Sequence, residues 1–500
     1  AQKFSTIEMV DDKGKGLIRQ ITQMKYGAIL QKYRNDMNEY VKTSGSDQTT
    51  VLMAEKLDQI ASFAQRPNVN KYAKMATSAG FMYTMGANIS STVANFFDLP
   101  ISTYSMLAGR YGDAASVAAM GKASRLFLGS PRTRNVNTYG ADGDKMRKVS
   151  MGSSIGNIDF SDPNLPSDKA DMKELVDAAF KLGALDTSLT REMLDITDGK
   201  EVLQKANKLM SFFFHHGERF NREVSMGAAY ILELDRLRKA DPNTPLTTEQ
   251  KTLAAEKAIE MTEFSQGGTA AAGTAVLAQN GIGKVMYLFK RFAIQKYYML
   301  ARLSNDAFNG ADAETRGIAR AQLARVFVMS GLLGGASGMP MMGAIGMIYD
   351  MFSSDDEDDF EAMSRKIMPN LVYGGLANYM LGSDFSSRIS MNSLLYRRPL
   401  IDKDQSNLWT LIETMGGPVV GMGLSVERGV GQINEGDVWS GVKSMSPAFI
   451  KNAMKGFDLF NDKAALTKRR DVITDEISPY NTLMQFAGFA PEARGLALAE

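Results

Sequence analysis

Apolar residues recur along this chain at the spacing of helix turns. Leu17, Ile21, Met24 and Ala28 stand at i, i+4, i+7 and i+11 with Lys and Arg between them. Leu52, Leu57, Ile60 and Ala61 repeat the pattern over residues 51–63. Longer helices are predicted over 203–237 and 285–303, the second with Leu288, Phe292, Tyr298 and Leu303 set among Lys and Arg. The breaks are Pro clusters at Arg66-Pro67-Asn68, Asp162 to Pro166 and Asp241 to Pro245. The last runs into Thr247-Thr248-Glu249-Gln250, an N-cap signal for the next helix. No series of alternating strands joined by Asn-Gly or Asp-Gly turns stands out. The expected fold is therefore all-α, an extended assembly of long amphipathic helices with Pro/Gly breaks and no sheet of more than two or three short strands. The organisation reads as a basic helical region over 1–130, a linker or insertion loop over 131–170, a central helical domain over 171–325, a Gly-rich apolar segment over 326–350 and a C-terminal helical region over 351–500.

Two stretches carry no charge, the 23 residues Met75 to Phe97 and the 24 residues Val326 to Tyr349. Both reach the length that spans a bilayer, about 20 residues. The first is diluted by Asn88, Ser90, Ser91, Thr92 and Asn95. The second holds Gly331, Gly334, Gly335, Gly338, Gly343 and Gly346, with Pro340 in the middle and the acidic run from Asp355 to Asp359 behind it. Glycines four apart let two helix backbones approach closely, and Pro340 breaks or kinks a continuous span. A buried core or subunit contact and a conditional membrane insertion both fit this segment. Residues 264–283 read as a loop with weak helix, and Met415 to Gly423 as a helix start after a Gly-Pro break.

Charge narrows the classes. Lys and Arg total 57 against 56 Asp and Glu, which is not the basic excess of a dedicated nucleic-acid binder. The balance is uneven, with a net of +8 over residues 1–150, −5 over 151–200, +4 over 201–325 and −6 over 326–500. There is no Cys, which removes disulfides and thiolate metal sites, and there are two His, adjacent at His215-His216. Adjacent His side chains on a helix point about 100° apart and do not share one ion readily. No phosphate loop is present. Gly152-Ser153-Ser154-Ile155-Gly156 has the outline of a nucleophile elbow without its strand–turn–helix context. The sequence therefore implies no cofactor, no metal and no catalytic residue. It also shows no basic region followed by an apolar core and cleavage site, so no secretory signal is expected. Met (33) and Gly (45) are abundant, and both suit adaptable helix contacts.

The helix predicted over 284–302 interleaves Lys284, Lys290, Arg291, Lys296 and Arg302 with Tyr287, Phe289, Phe292, Tyr297 and Tyr298. Such a mixture suits a face toward lipid headgroups or toward DNA phosphate, and also an ordinary amphipathic helix with a solvated basic side.

Several segments, in order, resemble one family. They are Gly86-Ala-Asn-Ile-Ser-Ser-Thr-Val-Ala-Asn-Phe-Phe-Asp-Leu-Pro through Gly109, then Glu218-Arg-Phe-Asn-Arg-Glu-Val-Ser225 into Tyr230, and Ile282-Gly-Lys-Val-Met-Tyr-Leu-Phe-Lys-Arg-Phe292. Next come Gly331 to Asp350 with Gly382-Ser-Asp-Phe-Ser-Ser-Arg388, Gly416-Gly-Pro-Val419 with Pro447 to Lys455, Thr467 to Arg470, and Ile477-Ser-Pro-Tyr480 through Phe489. Together they resemble the C-terminal region of the very large internal virion proteins of short-tailed phages, the large polyvalent or genome-ejection proteins. The resemblance implies a helical protein held in the virion interior near the portal and delivered into the host periplasm and inner membrane. It implies a homo-oligomer that joins other ejection, portal or tail proteins, meets double-stranded DNA non-specifically and host envelope lipids conditionally, and helps form a DNA-conducting channel. On this reading the five basic residues above face phosphate, and the six glycines serve helix packing or insertion. A core or scaffold protein that never meets a membrane, and a fragment of a cell-wall-degrading enzyme, are the competing readings.

Overall fold

A computed structural model describes residues 71–138, 145–182, 184–185, 201–267, 281–352, 360–389, 407–466, 472–475 and 477–497, with residues 35, 36, 39 and 51. The apolar repeats at 17–28 and 52–61, the break at Arg66 to Asn68 and the Thr467 to Arg470 segment lie outside them. Packing divides the chain into two units, Ala1–Lys74 with Thr269–Leu288, and Met75–Gly268 with Phe289–Glu500. The account below concerns the second.

Helices dominate it, as the periodicity implies. In chain order they are α1 (Lys71–Thr84), α2 (Ile89–Phe96), a π-helical turn (Leu99–Thr103), α3 (Tyr104–Tyr111), α4 (Asp113–Leu128), α5 (Ser167–Ala170), α6 (Lys173–Lys181), α7 (Glu201–Ala240) and α8 (Thr248–Gln266). They continue as α9 (Gly281–Asn309), α10 (Ala313–Gly338), α11 (Met342–Phe352), α12 (Phe360–Ile367), α13 (Asn370–Leu381), α14 (Ser386–Ile389), α15 (Asn407–Asn434), α16 (Val438–Met445), α17 (Ala448–Asp462), α18 (Pro479–Ala487) and α19 (Glu492–Ala497). The cap read at Thr247 is a full capping box. Its side chain accepts from the Gln250 N–H, and the Gln250 side chain accepts from the Thr247 N–H.

Around α7 lies the largest core. Over its middle turns Val224, Met226, Ala228, Ala229, Tyr230, Leu232 and Leu234 are buried, against Ala119 and Ala123 of α4, Leu175 and Val176 of α6, and Ala254, Ala255 and Ala258 of α8. The small residues let the helices close on one another, and a fully buried Leu such as Leu175 contributes about 1.5–3 kcal/mol.

Three expectations meet differences. The stretch over 131–170, read as a linker or insertion loop, carries regular structure of its own. It holds an antiparallel pair, β1 (Pro131–Thr138) with β2 (Lys145–Ser153), and then Ile155 and Ile158, both buried in the α7 core. Its Gly, Ser and Asn content hid β-compatible Val136, Thr138 and Val149. A second small pair joins β3 (Ala465–Leu466) to β4 (Val472–Thr474). Met415 to Gly423 does not start a helix but lies inside α15. Pro418 there only forgoes one N–H bond toward Thr414, and Gly416 and Gly417 leave the turn room to adjust. Finally, Met75 to Phe97 is no single helix, because α1 and α2 are parted at Met85 to Asn88, where Ala87 has a φ of 52°.

Candidate functional site

The helix over Gly281–Asn309 carries the predicted basic face, and the structure redistributes it. Lys284, Lys290 and Arg291 lie on it, with side chains outside the described residues. Arg302 is half exposed, 3.8 Å from Asp306, with its guanidinium 5.1 Å from the centre of the Phe264 ring. Lys296 is not on any surface. It is 1% exposed, because it shares a face of α9 with the buried Ala293, Leu300 and Leu303 at i−3, i+4 and i+7. The expectation that Lys296 faces phosphate is corrected accordingly.

Lys296 reaches across to the π-helical turn. Its Nζ lies 2.6 Å from Asp98 Oδ1, donates to Ser102 Oγ at 2.7 Å, and donates to the Ser265 carbonyl at the end of α8. Ser102 Oγ in turn donates to Asp98 Oδ1 at 2.6 Å. The wider π turn brings Asp98 and Ser102 to one side and also presents Thr103, which shares a 2.6 Å hydrogen bond with Ser225 of α7 and accepts from Gln266 at 2.8 Å. Arg222 donates to the Gly267 carbonyl beside them. Burial lowers the Lys296 pKa, and Asp98 opposes that fall. The node ties four segments of chain by hydrogen bonds.

Two other buried carboxylates are equally committed. Glu223 accepts from Ser154 Oγ at 2.8 Å, from the Ile155 N–H at 2.6 Å and from Arg219 at 2.8 Å. The elbow-like Ser154 is thus a buried structural hydroxyl. Burial raises the Glu223 pKa against the pull of Arg219. Glu492 takes Arg365 at 3.2 Å and Asn378 Nδ2 at 2.8 Å, and Arg365 stacks 4.5 Å above Tyr373.

The glycine segment forms the second feature. Gly331 faces Met339, and Gly346 packs against the Phe360 ring. Gly334 and Gly338 are buried and Gly343 is half-buried. Gly335 interrupts α10 with a φ of 65°, and Gly375 interrupts α13 with a φ of 72°. The two interruptions meet. A Cβ on Gly335 would strike the backbone of Tyr373 and Gly375, and one on Gly375 would strike Gly335 and Leu333. Gly335 is thus a point of close backbone approach, to α13 of the same chain. Around this crossing large apolar side chains stay exposed: Val328 (62%) and Leu332 on α10, Ile345 and Ile348 on α11, Tyr379 and Met380 (76%) on α13. Among the described residues no helix is long and apolar enough to cross a membrane, because Gly335 and the Met339-Pro340-Met341 turn divide the uncharged run.

Among the described residues no cluster of His, Cys, Asp and Glu could hold a metal ion, and burial together with Arg219 lowers the pKa of His216. Sequence reasoning missed Asp98, Glu223, Glu492 and Gly375. For the Asp98–Lys296 pair the signal was present. Asp98 is the first charge after 23 uncharged residues, and Lys296 stands in an apolar stripe.

No family model matches the chain, and neither the curated proteins nor the solved structures hold a significant match to it.

Proposed function

We propose that this chain is an internal virion protein of the genome-ejection class, which assembles with copies of itself and helps form a passage for DNA across the host envelope. The observation that carries this reading is the ordered run of similar segments from Gly86 to Phe489. Some of these segments touch one another in the fold. Thr103 meets Ser225, Phe97 packs on Phe385, and Phe385 stacks on Phe489 with ring centres 4.0 Å apart. The exposed apolar side chains on α10, α11 and α13 supply a surface that copies or lipid would cover. On this reading the protein sits inside the virion near the portal, beside other ejection, portal or tail proteins, and reaches the periplasm and inner membrane on infection. Arg302, with Lys284, Lys290 and Arg291, is assigned to non-specific contact with double-stranded DNA or headgroups. No catalytic step is assigned, because Asp98, Glu223 and Glu492 are buried in hydrogen-bonded pairs rather than lining a cleft.

Electron cryo-microscopy of the particle, with mass measurement of the purified chain, tests this reading. A ring or tube at the portal vertex is expected. A strict monomer that leaves dye-loaded liposomes intact and is missing from the particle would overturn it.

A further inference from the structure

Two helices of the second unit are broken where their sequences do not demand it. α10 runs through Leu332-Leu333-Gly334-Gly335-Ala336, and α13 through Val372-Tyr373-Gly374-Gly375-Leu376. Neither stretch holds a Pro or a capping side chain, so the glycine pairs permit a break without requiring one. Gly335 (φ 65°, ψ −163°) and Gly375 (φ 72°, ψ −178°) nevertheless both leave the helical region for one that glycine alone tolerates. Each break sits against the other, since a Cβ on either would strike the opposite backbone. The breaks are thus set by tertiary contact rather than by local sequence.

The C-terminal segment grips α13 on both sides of its break. Ahead of Gly375, Arg365 of α12 lies 4.5 Å over the Tyr373 ring and pairs with Glu492 of α19 at 3.2 Å. Beyond Gly375, the same Glu492 carboxylate accepts from Asn378 Nδ2 at 2.8 Å. Asn378 Oδ1 accepts from the Phe385 and Ser386 N–H groups, each at 2.7 Å, which fixes the turn after α13. The Glu492 N–H donates to the Gly382 carbonyl at 3.3 Å, the Asp384 N–H donates to the Ala490 carbonyl at 2.8 Å, and Ser383 bridges to Pro491. One buried carboxylate therefore holds both halves of a broken helix. A clasp that spans a break fits one angle between the halves, whereas an unclasped α13 is free to continue its ladder of backbone bonds through Gly375.

We propose that the segment from Phe489 to Ala497 is a latch that holds α10 and α13 in their broken, crossed form, and that α13 straightens when the latch is released. The inference concerns two forms of this one chain and does not rest on the conduit reading.

The chain has no Cys, so spin labels go only where Cys is placed. Val372→Cys and Tyr379→Cys replace exposed side chains on either side of Gly375. In a straight helix these positions, seven apart, share a face about 10.5 Å apart along the axis. Electron paramagnetic resonance of the intact chain is expected to give one label distance in the parent. Arg365→Met with Glu492→Gln removes the clasp without stranding a buried charge and should add a second distance at the straight-helix value. Glu492→Gln alone keeps the size of the side chain, should show a smaller share of that second distance, and decides the question if the double variant does not fold. Glu361→Gln removes the other carboxylate on Arg365, which lies within α12, and should read as the parent does. A thermodynamic cycle gives an independent readout. Gly375→Ala should lower the urea midpoint of the parent, where its Cβ strikes Gly335 and Leu333. It should lower that of the unclasped variant by less than half as much, because a straight helix accepts Ala readily. A single label distance in every background, or equal Gly375→Ala shifts in both, would overturn the latch.

Discussion

The middle of α7 and the crossing of α10 with α13 solve helix packing in opposite ways. Residues 221–234 of α7 are buried at every position, and the charges among them, Arg222, Glu223 and Glu233, all have partners within the chain. At the α10–α13 crossing the backbones themselves meet, and the large side chains nearby turn outward. The first region is complete as it stands. The second uses glycine to bring two helices together and leaves large apolar side chains exposed. On the proposed reading the first region serves stability and the exposed surface beside the second serves association, and each can be attacked separately.

The largest effect is expected at the buried pair beside α7. Lys296→Met strands the Asp98 carboxylate and should cost about 3–5 kcal/mol in urea unfolding. Adding Asp98→Asn to it should recover most of that loss, because the stranded charge is gone. A single variant that costs under about 1 kcal/mol would mean water reaches the pair, and the core would not be complete in the sense described.

Next is the crossing itself. Gly335→Ala places a Cβ on the Tyr373 backbone at a positive φ and should cost about 2–3 kcal/mol. Gly334→Ala is its control. There a Cβ meets nothing within 4 Å, so the variant should gain about 0.5–1 kcal/mol. Equal effects at the two neighbours would remove the close-approach argument. Because Gly335 supports the fold, its replacement cannot serve as a test of association.

Titration separates the α7 core from the C-terminal helices. Burial holds the Glu223 pKa above its ordinary value, so the folded chain binds more protons than the unfolded chain in that window. Stability is therefore expected to fall as pH rises from the ordinary Glu range through the raised value. Lys455 runs the other way. Its folded pKa of about 8 lies below the free value of 10.5, so stability should rise with pH across that interval. Glu223→Gln should flatten the first slope and Lys455→Met the second, read as unfolding midpoints across pH.

How far the sequence reached follows the same physical divide. Helix positions were legible because periodicity and caps are local, as at Thr247 and across Glu201–Ala240. Glycine spacing pointed to close contact at Gly335, but its partner Gly375 lies 40 residues on in a segment with no such pattern. Lys296 shows the limit more sharply. Basic residues spread among aromatics read as a surface, and only its alignment with Ala293, Leu300 and Leu303 tells that it points inward toward an acid almost 200 residues away. The β1–β2 pair was hidden because the Gly, Ser and Asn content of the stretch around it reads as a loop, and its place is set by Ile155 and Glu223 in tertiary contact.

The smallest change in stability is expected where the functional consequence is greatest. Val328, Leu332, Ile345 and Ile348 are exposed, so replacing each by Ser should shift stability within about 0.5 kcal/mol. If this surface is what copies or lipid cover, the fourfold variant should keep the parent's helical circular dichroism and unfolding midpoint while losing self-assembly and liposome leakage. The outcome that would sink the association role is equally clear. A fourfold variant that assembles and leaks like the parent would make these side chains ordinary surface, and the glycine crossing would then be a packing device with no bearing on assembly.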